Sequence, residues 1–154
     1  MAANGLMYTF NSGPALLSSG VSATDIFTIG MPAGVKALIH EIRLTSNQTN
    51  DARLVVQIAR RSSGPTGGTT ITPKPVNPRN TVVAAATVTT FPTSVGTLNY
   101  AEEAEAWSVL IPYVRLFTND ERDLVDVSTW YSLFLAVPPA SPILVAFSCR
   151  YEEI

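Results

Sequence analysis

One histidine and one cysteine are all this chain offers for imidazole or thiolate chemistry. A zinc site needs several such ligands at set spacings. His40 sits within an alternating apolar run, in a row with Leu38 and Ile42, while Glu41 points to the other face of a strand. A Ser–His–Asp relay would have to use His40, and no GxSxG elbow is present to offer a serine. A cupin-type metal centre wants several histidines. Cys149 lies in the alternating run ILVAFSCRY without a partner for an internal disulfide, so a small buried hydrophobe is its expected role. No catalytic residue, metal or cofactor is expected, and the chain is not expected to be an enzyme.

Other clusters lead to the same place. The stretch GPTGGT at 64–69 has the glycines of a phosphate loop, but no Gly-Lys-Ser/Thr, and prolines follow where a helix should begin. It reads as a turn. Asn119, Asp120, Asp123 and Asp126 gather acidic oxygens, yet the central glycine of a calcium loop is missing and Arg122 interrupts them. Glu102, Glu103 and Glu105 have no apolar surroundings in sequence to raise a carboxyl towards acid catalysis. Trp107 and Trp130 suit core or interface packing, or a sugar platform in a lectin-like sandwich.

The elements around these residues read as β. Residues 6–10 predict a short strand and 11–23 a Gly/Ser/Pro loop, so 1–23 is expected as a loose N-terminal arm and 24–154 as one sandwich domain. Residues 25–29 and 35–46 predict strands. In the second, Lys36, Leu38, His40, Ile42 and Leu44 share one row, and Ala37, Ile39, Glu41 and Arg43 the other. Residues 53–61 follow, with Leu54, Val56 and Ile58 opposite Val55, Gln57, Ala59 and Arg61. Residues 81–90 read as a strand on their Thr/Val content. Residues 99–106 are the one plausible helix, with Asn99 as cap and Glu102 in the capping-box position. Trp107, Val109 and Ile111 alternate up to Pro112, and 131–137 and 143–151 are clear strands. Roughly eight short strands and at most one short helix argue for an antiparallel β-sandwich, immunoglobulin-like or jelly-roll.

Composition narrows the partners. Charged residues make up 14% of the chain, against about 25% in a typical soluble domain. The net charge is −2, which does not suit phosphate neutralisation, so no nucleic acid is expected. No apolar run approaches the roughly 18 residues that cross a membrane, so no membrane is expected. The start MAANGLMYTF lacks a basic segment and a long apolar core, so synthesis in a cytoplasm is expected. A weakly charged, Thr/Ser-rich surface suits protein–protein assembly.

One segment stands apart. Residues 60–80, RRSSGPTGGTTITPKPVNPRN, carry Pro73, Pro75 and Pro78. Proline excludes a helix or a central strand there and favours an extended arm. Such an arm is preorganised to lie across a neighbour at small entropic cost. The expected interface therefore comprises Arg60, Arg61, Gly67, Gly68, Thr69, Thr70, Ile71, Pro73, Pro75, Val76 and Pro78, with the two arginines anchoring its base against partner carboxylates.

The motif RxSxGxTGGTxITPxPxNP over 60–78, with WSVLIP at 107–112, ILVAFSCRY and the terminal Glu152-Glu153, resembles small virion proteins of tailed bacteriophages. These are jelly-roll decoration or cement proteins of the outer capsid surface. The likeness runs from about Val35 to the C-terminus. It implies a jelly-roll fold, a homo-oligomer such as a trimer, the major capsid protein as partner, a place on the virion surface, and no enzyme activity. The alternative is a receptor- or glycan-binding jelly-roll module of a spike or fibre tip, using Trp107, Trp130 and Tyr131 as exposed aromatics.

Overall fold

β-Branched and aromatic residues dominate the apolar runs, and most of these runs enter a sheet. The computed structural model describes residues 5–17, 24–118, 123–137 and 139–154. Among them are thirteen strands and no helix: β1 (Leu6–Leu17), β2 (Thr24–Gly30), β3 (Ala37–Ser46), β4 (Arg53–Arg61), β5 (Thr69–Ile71), β6 (Lys74–Pro75), β7 (Thr87–Thr90), β8 (Leu98–Ala101), β9 (Glu105–Ser108), β10 (Tyr113–Leu116), β11 (Asp123–Val125), β12 (Trp130–Leu135) and β13 (Ile143–Glu153).

They form two antiparallel sheets. The first runs β10-β3-β13-β1-β6, with β11 continuing the β10 edge on β3; the second runs β5-β7-β2-β12-β4-β8, with β9 continuing the β8 edge on β4. If β8–β9 and β10–β11 each count as one interrupted strand and the short edge strands β5, β6 and β7 are set aside, eight strands remain. Their orders are then first–eighth–third–sixth and second–seventh–fourth–fifth, the arrangement of a jelly roll.

Between the sheets lies one apolar core. Phe10 of β1 meets Phe27 of β2 edge-to-face at 5.2 Å, and Phe27 lies 5.1 Å from Phe147 of β13. Tyr8 stacks on Tyr151 at 5.7 Å. Cys149 is buried in the same core, as its place in the alternating run implied.

Four register shifts correct the expected alternation. In β3, Ile39 faces Tyr151 and Glu41 faces Arg150, which leaves His40 as the extra residue of a bulge. Ala37 and Ile39 therefore share the core side with Ile42 and Leu44, and the two rows expected from strict alternation are mixed. In β2, Ile26 is extra between the pairs Phe27–Leu133 and Asp25–Phe134. In β8, Asn99 is extra between Tyr100–Arg60 and Leu98–Arg61. In β1, the shift falls between Ser12 and Ala15, where Gly13 and Pro14 sit.

That last bulge lets the first strand run on to Leu17 where a loop was expected, so β1 is an interior strand of its sheet and not a loose arm. Residues 1–4 and 18–23 lie outside the described ones. The expected helix at 99–106 is also absent. Its residues form β8 and β9, which pair with opposite halves of β4. A two-turn helix gains little from one cap, and a full ladder to a buried strand outweighs it. Of the strand expected at 81–90, only Thr87–Thr90 joins a sheet.

Candidate functional site

Consecutive strand residues point to opposite faces, so Arg60 and Arg61 part company at the end of β4. Arg61 turns to the outer face of its sheet and is nevertheless only 4% exposed. Its Nη2 lies 2.6 Å from Asp25 Oδ1, its Nε donates to Ser132 Oγ at 3.2 Å, and its Nη1 donates to the Gly96 carbonyl at 2.8 Å. Thr28 joins the network, donating to Asp25 Oδ2 at 3.0 Å and lying 2.9 Å from Ser132 Oγ. The bulge at Ile26 puts Asp25 on the same face as Thr28 and within reach.

The Gly96 contact matters because of what it holds. Arg61 pairs with Leu98, so residues 62–97 form one long excursion from a hairpin whose base is closed by Ser62 N–H donating to the Thr97 carbonyl at 3.0 Å. A Cβ at Gly96 would lie 1.8 Å from the Ser63 carbonyl oxygen, so only glycine lets the two limbs of that base close. From there the excursion adds β5 and β7 beside β2, crosses to the other sheet to place β6 beside β1, and crosses back. Gly68 has φ +79°, and a Cβ there would meet the Thr90 carbonyl at 2.5 Å.

The expected interface segment therefore already lies on its own chain. Thr69, Thr70 and Ile71 pair with Thr90, Thr89 and Val88. Pro75 sits opposite Tyr8, Val76 N–H donates to the Met7 carbonyl at 2.9 Å, and Pro73 is buried. Gly67 and Gly68 make the left-handed turn, where Thr66 N–H donates to the Ser94 carbonyl at 2.9 Å. Of the expected interface residues, Gly67, Gly68, Thr69, Thr70, Val76 and Pro78 are exposed, with Thr72 and Lys74 exposed between them. The arm was expected to lack regular structure, but its central residues contribute two short strands, because edge positions tolerate proline.

Arg60 points inward and bridges the sheets. It pairs with Asp123 of β11, donates to the Leu124 carbonyl, and lies 4.7 Å over the Tyr131 ring. Tyr131 donates to Asp123 Oδ2 at 3.0 Å. Glu102 lies 3.7 Å from Arg60 and 3.0 Å from Arg115; Arg115 also meets Glu105 at 2.9 Å, and Tyr113 donates to Glu105 at 3.0 Å. Burial, then repulsion from Asp123, raise the Glu102 carboxyl, contrary to the expectation from its neighbours in sequence. Burial, then the Glu105 charge, push the Tyr113 hydroxyl up to about 12. Each acid of this group has a guanidinium or phenol partner, so chemically it acts as a clasp between β4, β8 and β9 on one sheet and β10 and β11 on the other.

The remaining candidates are accounted for singly. His40 Nε2 is 3.1 Å from Glu152 Oε2. Asp126 pairs with Lys36 at 3.0 Å; Asn119, Asp120 and Arg122 lie outside the described residues. Trp107 is buried and donates to the Ile111 carbonyl at 2.8 Å. Tyr131 is buried too, so neither provides a sugar platform, and Trp130 is half-buried against Gly30 and Gly64. No cluster of three or more metal-ligating side chains occurs among the described residues.

The chain matches no protein-family model and no curated protein.

Two expectations follow from the two networks. Arg61→Ala leaves the Asp25 carboxylate buried without its cation, and urea unfolding is expected to show a loss of about 3–5 kcal/mol. The double variant Asp25→Asn/Arg61→Met is expected to lose clearly less, because no uncompensated charge remains. Glu102 carries the opposite pH signature to a simple salt-bridged acid. Its folded value is raised, so its contribution favours the native state in acid and is lost as pH rises from its ordinary value of 4.5 through the raised one. Unfolding of the wild type and Glu102→Gln across that range is expected to show the wild type losing ground to the variant as pH increases.

Proposed function

We propose that the chain is a structural virion protein that decorates the outer surface of a phage capsid. The observation that carries this reading is the condition of residues 60–78. The motif that resembles phage decoration proteins is held in place along the edges of both sheets, with Thr69, Thr70 and Val76 turned outward from a fixed backbone. A surface ordered before contact loses little conformational entropy on binding. Apart from Lys74, its exposed side chains are small and uncharged, hydroxyls of threonine beside Val76 and Pro78, which fits the surface of a protein lattice. The jelly-roll order agrees with the fold that the resemblance implies. The major capsid protein is the partner on this reading, and Thr70 and Val76 touch it. The glycan-binding alternative loses two of its three aromatics to the core.

Mass-spectrometric counting of purified virions tests the assignment. Hundreds of copies per particle are expected; a few copies, or none, would overturn it. Thr70→Lys and Val76→Asp, at exposed positions, are expected to leave the circular dichroism spectrum unchanged and weaken capsid binding about tenfold or more, roughly 1.4 kcal/mol.

A further inference from the structure

The outer face of the first sheet gathers three cations in one strip. Cross-strand partners share a face, and the register runs from Lys74 of β6 to Thr9 of β1, Arg150 of β13, Glu41 of β3 and Leu116 of β10. The next row reads Asn11, Ser148, Arg43 and Val114. Tyr8, Phe10, Cys149 and Ile42, the neighbours of these residues along their strands, are buried in the core. Both rows therefore face away from it.

Two hollows meet at Thr9 on this face. The lining of one, of about 260 Å³, includes Glu41, Arg43, Ser148 and Arg150. That of the other, of about 250 Å³, includes Asn11, Thr72 and Lys74. Arg43 and Arg150 converge on Glu41: Arg43 pairs with one carboxylate oxygen, and Arg150 lies 3.9 Å from the other. Two cations thus share one anion, and each keeps more than half of its side chain exposed. Lys74 is exposed and has no charged partner among the described residues. Exposed ion pairs contribute little to a fold, so the guanidinium donors that Glu41 leaves over are open to a ligand.

Charge and spacing select the occupant. Glu41 shows the group these guanidiniums hold, a carboxylate, which an arginine fork grips with two parallel N–H donors. Arg43 and Arg150 are diagonal neighbours on adjacent strands, roughly 7–8 Å apart at the backbone. Alternate residues of an extended peptide are about 7 Å apart, so two such carboxylates reach both arginines. Lys74 lies two strands from Arg150, roughly 10 Å. Asn11, Thr72 and Ser148 offer amide and hydroxyl groups to a peptide backbone in the hollows. Nucleic acid fits less well, since the chain carries a net charge of −2 and Glu41 stands among the cations. On the β10 side the polar strip ends at the exposed Val114 and Leu116.

We infer that the outer face of β6, β1, β13 and β3 is a docking site for an extended acidic segment of another protein. Arg43 and Arg150 take its alternate carboxylates, and Lys74 takes a further one. Arg60 and Arg61, expected to meet a partner's carboxylates, meet those of their own chain instead; Arg43 and Arg150 are the pair free to do so. The inference goes beyond the decoration role and does not depend on it.

Fluorescence anisotropy with a short labelled peptide of alternating glutamate and threonine tests it. The wild type is expected to bind saturably at low ionic strength and to lose affinity as salt is added. Arg43→Gln/Arg150→Gln replaces exposed side chains, so the circular dichroism spectrum is expected to persist while the dissociation constant rises about tenfold or more. Glu41→Gln removes the competing carboxylate and is expected to bind several-fold more tightly. Arg53→Gln, at an exposed position on β4 of the other sheet, is expected to bind as the wild type does. A wild type without saturable binding overturns the inference. So does undiminished binding by the double variant, weaker binding by Glu41→Gln, or an equal loss in Arg53→Gln. Tighter binding of a single-stranded oligonucleotide of equal charge overturns it too, and would make the strip a phosphate site. None of these outcomes bears on the virion count, which tests the decoration role separately.

Discussion

A sheet has edges, and every strand at an edge carries backbone N–H and C=O groups without a ladder partner. In this sandwich the first and second strands would leave such an edge open on one side of each sheet. The chain covers both by one device. The hairpin between β4 and β8, which could close in a few residues, instead runs out over residues 62–97 and lays β6 along β1 and β7 along β2. Fold and surface chemistry both depend on that cover staying down.

Arginine alternation at the end of β4 holds it. Arg61 reaches out of the sheet to the Gly96 carbonyl at the base of the excursion and is itself fixed by Asp25. Arg60 reaches the other way and fastens the opposite edge through Asp123 and Glu102. A buried pair gains little over an apolar filling, because both charges must be desolvated. Its value here is positional: no apolar side chain could hold a carbonyl at the hairpin base. Part of the local backbone cost falls in the same region. Phe91 adopts φ 46° directly after β7, an unfavourable conformation for a bulky residue, and its ring packs 6.0 Å from Phe147. The left-handed Gly67 and Gly68 turn lies nearby.

Much of this was legible from residue patterns, and the failures share a cause. The all-β class, the absence of helix beyond one candidate, and the apolar row Leu54, Val56 and Ile58 needed only alternation and β-branching. Single extra residues then broke the alternation at Ile26, His40 and Asn99, and at Gly13-Pro14. A bulge leaves no mark in a sequence beyond a slip of phase, so the faces of β3 were misread and β1 was cut short. The capping signal at Asn99 and Glu102 was real local chemistry overridden by a ladder to β4. Arg61 carried the least signal of all. Its partner Asp25 lies far back in the chain, and a charged residue at a strand end reads as solvated until the excursion that covers it is seen. The prolines did mark an extended segment, but an extended segment serves equally well against its own sheet or against a neighbour.

The account thus rests on an edge that the chain seals for itself. Native-state hydrogen exchange, read by residue, tests that seal most directly. Amides of residues 69–76 that enter ladders, and Val76 N–H in particular, are expected to be protected nearly as well as those of β1 and β2 beneath them. Rapid exchange throughout 69–76, with β1 and β2 still protected, would contradict the account.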